Sequence, residues 1–180
     1  MNLISVTVLA PFIATLLILL LRRIPVVLAL LGAGVSLLAS AGLLADAFSS
    51  LNHELLLPGL PNMPLRLVAT PLTALLSTLV AVIGALVLVY ATGYMKQDRE
   101  KVRFFATMLL FISAMQTLVL AGDWILLLSA WELIGLSSYL LIGFWYRKPG
   151  VKAAATRAFL VTRSADLGLY IAVFILIASA

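Results

Sequence analysis

"WELIGLSSYLLIGFWYRK", residues 131–148, is apolar enough to lie in lipid, yet it carries an acid, Glu132, near its start. An ionised carboxylate at the centre of a bilayer costs about 2.5–3.5 kcal/mol even on insertion scales. The rest of the chain shows that the stretch does lie in lipid. Of 180 residues, 64% are hydrophobic and 11% charged, and the mean hydropathy is +1.20. Soluble domains carry roughly 25% charged residues. One water-soluble core of this length cannot hide so much apolar surface. The composition therefore predicts an all-α polytopic membrane protein. With no cysteine in the chain, disulfides, thiolate chemistry and Cys-ligated metals are excluded within it.

Crossing a hydrocarbon core of about 30 Å takes about 20 apolar residues in a helix. Six runs meet that length: about 2–21, 25–45, 71–92, 104–121, 124–146 and 154–178. The first has no basic n-region and is followed by Arg22-Arg23, so it reads as a span and not a signal peptide. Pro25 suits a first helical position. Spans four and five are joined by little more than Gly122-Asp123, which implies a tight antiparallel pair. The longest connection, 46–70, holds Pro58, Gly59, Pro61 and Pro64 between short apolar runs, a pattern that suits turns and a small hairpin. The six spans form a single membrane domain over 1–180.

Basic residues set the expected orientation. The connections after spans one, three and five hold Arg22, Arg23, Lys96, Arg99, Lys101, Arg103, Arg147, Lys148 and Lys152. The opposite connections hold only Arg66, beside Asp46, Glu54 and Asp123. The N-terminus and the 46–70 hairpin-like loop are therefore expected outside, and the basic loops in the cytoplasm. Most of the +5 net charge is then topology, and no nucleic-acid partner is expected.

Three charged residues fall deep inside the spans, well away from their ends. At 1.5 Å per residue, Glu132 lies about 13 Å down span five, and Arg163 and Asp166 lie about 13 and 18 Å up span six. All three are near the midplane. Arg163 and Asp166, spaced i, i+3, share one helix face. Opposite charges at one depth can simply hold helices together, or they can relay ions or protons, the commonest use of intramembrane ionisable groups. A structural pair needs one acid for one base. Here two acids meet one base, which favours the relay.

Other candidates carry less. His53 is the sole histidine, and "HELLLP" lacks the second histidine of a zinc-protease motif, so it reads as a loop residue and no metal site is expected. "GAG" at 32–34 lies inside a span, with no strand before it. Trp124, Trp145 and Tyr146 mark the ends of span five, as interfacial aromatics do. Gln116, with Ser113 and Thr117, gives span four a polar face that suits inter-helix hydrogen bonding, with the lining of a wet path as its alternative.

"WELIGLSSYLLIGFWY" closely resembles the fifth-helix signature of the large antiporter-like membrane subunit of respiratory complex I (the subunit 5 type) and its Mrp-antiporter relatives. "ATGYMKQDREKVRFFA" (91–106) resembles that family's connection between helices three and four. "TLVLAGDWILLLSAWE" is similar to its turn into helix five, and "AFLVTRSADLGL" to its sixth helix. The resemblance covers about residues 70–170. It implies that Glu132 is the helix-five acid of the proton or cation path, and that Arg163 and Asp166 belong to the same charged network. In the family that acid is modulated by a lysine on a later helix. Two departures stand out: Thr70-Pro71 where relatives often carry an aspartate, and Ser164-Ala165 where Val-Gly is usual.

Family members have about fourteen or more helices, so the chain is expected to be an N-terminal portion or a split subunit. Its expected partners are the lipid bilayer and either the missing C-terminal half or other membrane subunits of a multi-subunit complex. The resemblance implies a proton- or cation-translocating subunit of a complex I-like NADH:quinone oxidoreductase or Mrp-type assembly. No cofactor or redox chemistry is expected in this chain, and the location is a multi-pass one, in a prokaryotic cell (inner) membrane. The alternatives are the membrane subunit of an inorganic-carbon uptake complex, and a structural or assembly subunit with no ion path.

Overall fold

The computed structural model describes residues 2–48, 53–60 and 63–179. It contains α1 (Leu3–Leu21), α2 (Pro25–Phe48), β1 (His53–Leu60), β2 (Met63–Ala69), α3 (Pro71–Tyr94), α4 (Lys101–Leu120), α5 (Trp124–Ile142) and α6 (Val151–Ser179). All six helices are long and apolar enough to cross a membrane. Residues 49–52 and 61–62 of the long connection, the latter between the two strands, lie outside the described residues.

Helix ends follow from local chemistry. The Asn2 side chain caps α1 by accepting from the Ile4 N–H. Arg22 ends the helix in the left-handed region, at φ 54°, and its N–H closes on the Ile18 carbonyl. Thr70 and Thr73 form a capping box ahead of α3, with Pro71 in its first turn. Asp123 caps α5 through a 2.8 Å bond from the Leu126 N–H.

Several boundaries differ from the sequence reading, and α2 runs on to Phe48, three residues past its expected end. Helix α5 stops at Ile142, not Tyr146, because Gly143 takes the C-cap position and the chain turns through 143–150. Helices α4 and α6 begin at Lys101 and Val151, earlier than expected, so Lys101, Arg103 and Lys152 sit on first turns and not in loops. His53 is also no loop residue: it opens β1 and pairs with Asp46 at 3.1 Å.

Helices α1 to α4 pack as a bundle. Small residues let the backbones approach, as membrane helices require. At Gly32 a Cβ would meet the Ala14 Cβ at 2.5 Å. Polar ties cross the same contacts: Ser36 donates to the Thr7 carbonyl at 2.7 Å, and Ser113 to the Val8 carbonyl at 2.9 Å. One apolar cluster, including Ile18, Leu88, Phe105 and Leu109, fills the basic end of the bundle. A second, with Ile4, Leu43, Leu67 and Leu120, fills the hairpin end.

The hairpin pairs antiparallel, His53 opposite Ala69 and Leu55 opposite Leu67. It is pinned to the α4–α5 turn, which fixes where α5 begins. The Gly122 N–H donates to the Arg66 carbonyl, and the Arg66 N–H donates to Asp123 Oδ2, both at 2.7 Å. Asp123 thus caps α5 with one oxygen and holds the hairpin with the other. Helices α5 and α6 form a less enclosed layer outside the bundle. Only 11% of each spanning segment is buried, against 28–44% in the other four.

Candidate functional site

Glu132 lies in the third turn of α5, counted from its Asp123 cap, and faces the middle of α6. There the Arg163 guanidinium forms ion pairs with both acids. Its Nη1 meets Glu132 Oε2, and its Nη2 lies 3.3 Å from Asp166 Oδ2. The other Asp166 oxygen accepts from the Trp131 indole N–H at 2.9 Å. Nη1 also donates to the Tyr170 hydroxyl at 3.5 Å, and the guanidinium lies 5.3 Å from the centre of the Phe159 ring. The cluster is graded in burial. The Asp166 side chain is 9% exposed, Arg163 18% and Glu132 44%.

Gly135 makes this approach possible. It lies at i+3 from Glu132, hence on the same face of α5. A Cβ at that position would stand 2.7 Å from Arg163 Cζ. The guanidinium therefore occupies the space that any larger residue would fill. Beside it, a cleft of about 380 Å³ runs between α5 and α6, lined in part by Ser138, Tyr139, Thr162, Arg163 and Asp166. Hydroxyls thus line a cleft between two spanning helices.

The charge arithmetic follows from the contacts. One guanidinium faces two carboxylates, so full ionisation leaves a net charge of −1, and one added proton makes the cluster neutral. Among the described residues, Glu132 Oε1, Arg163 Nε and Asp166 Oδ2 are buried without a hydrogen-bond partner. The hydrogen-bonding capacity of these ionic groups is thus only partly used within the described residues, and unpaired buried polar atoms are costly.

Glu132, Arg163 and Asp166 are therefore brought together. Gln116 is not among them. It is fully buried between α3 and α4, where its Oε1 accepts from Ser77 Oγ at 2.6 Å and its Nε2 donates to the Ser77 carbonyl at 3.0 Å. Trp131, Gly135 and Tyr170 are parts of the site that the sequence reading left unassigned. The available signal was spacing: Tyr170 follows Asp166 by four residues and Arg163 by seven, on one helix face. No group of three or more His, Asp or Glu able to hold a metal occurs among the described residues.

A second polar cluster marks the basic end of the bundle. Arg103 donates to the Phe144 carbonyl and lies over the Phe144 and Tyr146 rings, 4.9 and 5.0 Å from their centres. Asp98 accepts from the Glu100 N–H at 2.8 Å and from the Trp145 indole at 3.0 Å. These two bonds, in that order of effect, hold its carboxyl below the usual aspartate range.

Six spanning helices with a titratable cluster between two of them define a polytopic membrane protein with ionisable groups inside its spans. The family follows from comparison. Residues 59–105 match the model for the N-terminus of chain 5 of NADH-ubiquinone oxidoreductase (complex I), and residues 121–180 match the transmembrane model of NADH:quinone oxidoreductase and the Mrp antiporters. The chain belongs to this family of antiporter-like membrane subunits and corresponds to its N-terminal part.

It is 44% identical over 97 residues to NADH-quinone oxidoreductase subunit L of Mycobacterium tuberculosis, covering 54% of this chain and 15% of the relative. It is 47% identical over 97 residues to F(420)H(2) dehydrogenase subunit L of Methanosarcina mazei, covering 54% and 14%. With the chloroplast NAD(P)H-quinone oxidoreductase subunit 5 of Ipomoea purpurea, identity is 45% over 103 residues, covering 57% and 14%. The match thus spans only about 15% of the length of these relatives. A solved structure of the membrane-bound sulfane sulfur reductase, an archaeal respiratory membrane complex, contains a chain with the same fold: TM-score 0.78, 13% identity, 89% of this chain and 34% of that one.

Proposed function

We propose that this chain forms the N-terminal helices of a proton- or cation-translocating subunit in a complex I-like quinone oxidoreductase or Mrp-type assembly, and that Glu132 is the acid on its ion path. One observation carries the reading: a single guanidinium, Arg163, spans Glu132 on the neighbouring helix and Asp166 on its own. When Glu132 is ionised, the pair with Arg163 compensates its charge. When Glu132 takes a proton, Arg163 keeps a full partner in Asp166, which Trp131 holds in place. The proton can therefore come and go while the arginine stays compensated inside the spans. A structural tie would not need the second acid.

In this reading the redox chemistry and any cofactor belong to other subunits, and the remaining membrane subunits or helices complete the path. The basic-residue asymmetry supports an outside N-terminus, and the membrane proposed for the chain is a prokaryotic cell (inner) membrane. Glu132→Gln in the full-length assembly, reconstituted into vesicles, tests the role. The amide keeps volume and hydrogen bonding but cannot titrate. Complex abundance should stay near wild type, and ion pumping should fall at least tenfold, about 1.4 kcal/mol of barrier. Full pumping by this variant would reduce Glu132 to a helix tie.

A further inference from the structure

The basic end of the bundle gathers more cations than the described residues compensate. Three of them surround one ring. Arg103, Arg147 and Lys152 lie 5.0, 5.6 and 5.6 Å from the centre of Tyr146, and Lys148 lies 4.6 Å from that of Trp145. The nearby acids are engaged elsewhere. Asp98 accepts from the Glu100 N–H and the Trp145 indole, and Glu100 lies 4.0 Å from Arg147. Among the described residues, Arg103, Lys148 and Lys152 have no carboxylate within ion-pair distance.

Two of those cations face one cleft. It has a volume of about 340 Å³ and lies between the end of α5 and the start of α6, lined by Arg103, Gly143, Tyr146, Lys152 and Thr156 among others. A guanidinium fork, an ammonium and a hydroxyl around one small space suit a phosphate, which takes several donors at once. The Phe144 carbonyl uses one of the five N–H groups that a guanidinium carries. The α6 N-terminus adds the positive end of a 29-residue helix. The Tyr146 hydroxyl reports the same field: its hydrogen bond with Arg147, then that cation's charge, lower it from the usual tyrosine range.

Depth identifies the phosphate's source. The cleft stands where α5 ends, at the level of the Trp145 and Tyr146 rings. Its wall continues into the spans as exposed apolar surface: Leu140 lines the cleft and is 40% exposed, and Leu160, one turn beyond Thr156, is 59% exposed. A soluble anion would make no use of that wall, whereas acyl chains would. Basic pockets between helices at a membrane surface are a recurrent form of lipid-headgroup recognition.

We infer that the cleft between the end of α5 and the start of α6 binds the phosphate of an anionic phospholipid, gripped by Arg103 and Lys152, with an acyl chain along Leu140 and Leu160. The test uses the full-length subunit purified in its assembly and stripped of lipid. Its thermal midpoint is followed while phosphatidylglycerol, phosphatidylcholine or inorganic phosphate is added. Phosphatidylglycerol should raise the midpoint saturably, and the other two should not. Lys152→Gln should weaken half-saturation about fivefold, the effect of one cation at a membrane surface. Lys96→Gln, at the same end but outside the cleft, should leave it unchanged. Equal weakening by both variants would replace the site with diffuse surface charge. An equal response to phosphatidylcholine would remove the headgroup, and a shift by inorganic phosphate alone would make the site one for a soluble anion.

Discussion

The Trp131 indole donates to Asp166 at 2.9 Å across the α5–α6 contact, from the residue directly before Glu132. One helix thus supplies both the acid that Arg163 reaches out to and the donor that fixes Arg163's other partner. Trp131→Phe keeps an aromatic ring, though a smaller one, and removes the N–H. It leaves a buried carboxylate oxygen without its donor, which costs about 1–3 kcal/mol. The expected result is a modest loss of thermal stability together with an altered pH profile of ion pumping, because Asp166 then competes differently for Arg163. An unchanged pH profile would confine Trp131 to packing.

The orientation makes a separate prediction. Gln97 follows α3 on the basic side, and Glu54 lies in β1, and both are exposed. The chain has no natural cysteine, so Gln97→Cys and Glu54→Cys give single reporters within it. In full-length protein whose remaining cysteines are removed, a membrane-impermeant maleimide should label Glu54→Cys from outside and Gln97→Cys only after permeabilisation. Labelling of both from the same face contradicts six crossings.

Much of the fold and the heart of the site were legible in the sequence, for specific reasons. Glu132, Arg163 and Asp166 stand out because charges are rare in spans, and counting the helical rise from each end places them at one depth. What the pattern could not give was which face of each helix turns toward its neighbour. Trp131, at almost the depth of Glu132, has no role in the pattern until its N–H is seen on Asp166. The end of α5 differs from the expected one because "GFWY" is as apolar as a helix, while the Gly143 cap is a local backbone event. His53 reads as a loop residue because its strand partner, Ala69, stands across the hairpin and leaves no mark on the sequence around His53.

Gln116 tests the reading of polar residues inside spans. It exchanges two hydrogen bonds with Ser77, and both side chains are fully buried. Gln116→Leu would leave the Ser77 hydroxyl without its acceptor, at a cost of about 1–3 kcal/mol. The amount of intact assembly, or its thermal midpoint, should therefore fall. Pumping per assembled complex should stay at the wild-type level, since the residue ties α3 to α4. A fall in specific pumping with normal assembly would instead place Gln116 on the path.

Gly135→Ala separates the geometry of the cluster from its charges. The new Cβ would stand 2.7 Å from Arg163 Cζ, so the guanidinium must move. That group ends a long flexible side chain, and alanine is the better helix former by about 0.8–1.0 kcal/mol, so α5 itself should be undisturbed. Every charge remains, but the contact between Arg163 and Glu132 across the helices is broken or lengthened, while Asp166, three residues along the same helix, can still follow the arginine. If Arg163 bridging the two acids is what lets Glu132 exchange its proton, Gly135→Ala should assemble normally and pump several-fold more slowly. Gly135→Ser, with one further heavy atom, should pump no better. The measurement is the initial rate of ion uptake in vesicles, normalised to intact complex. Wild-type rates in both variants would show that the pair is incidental to transport.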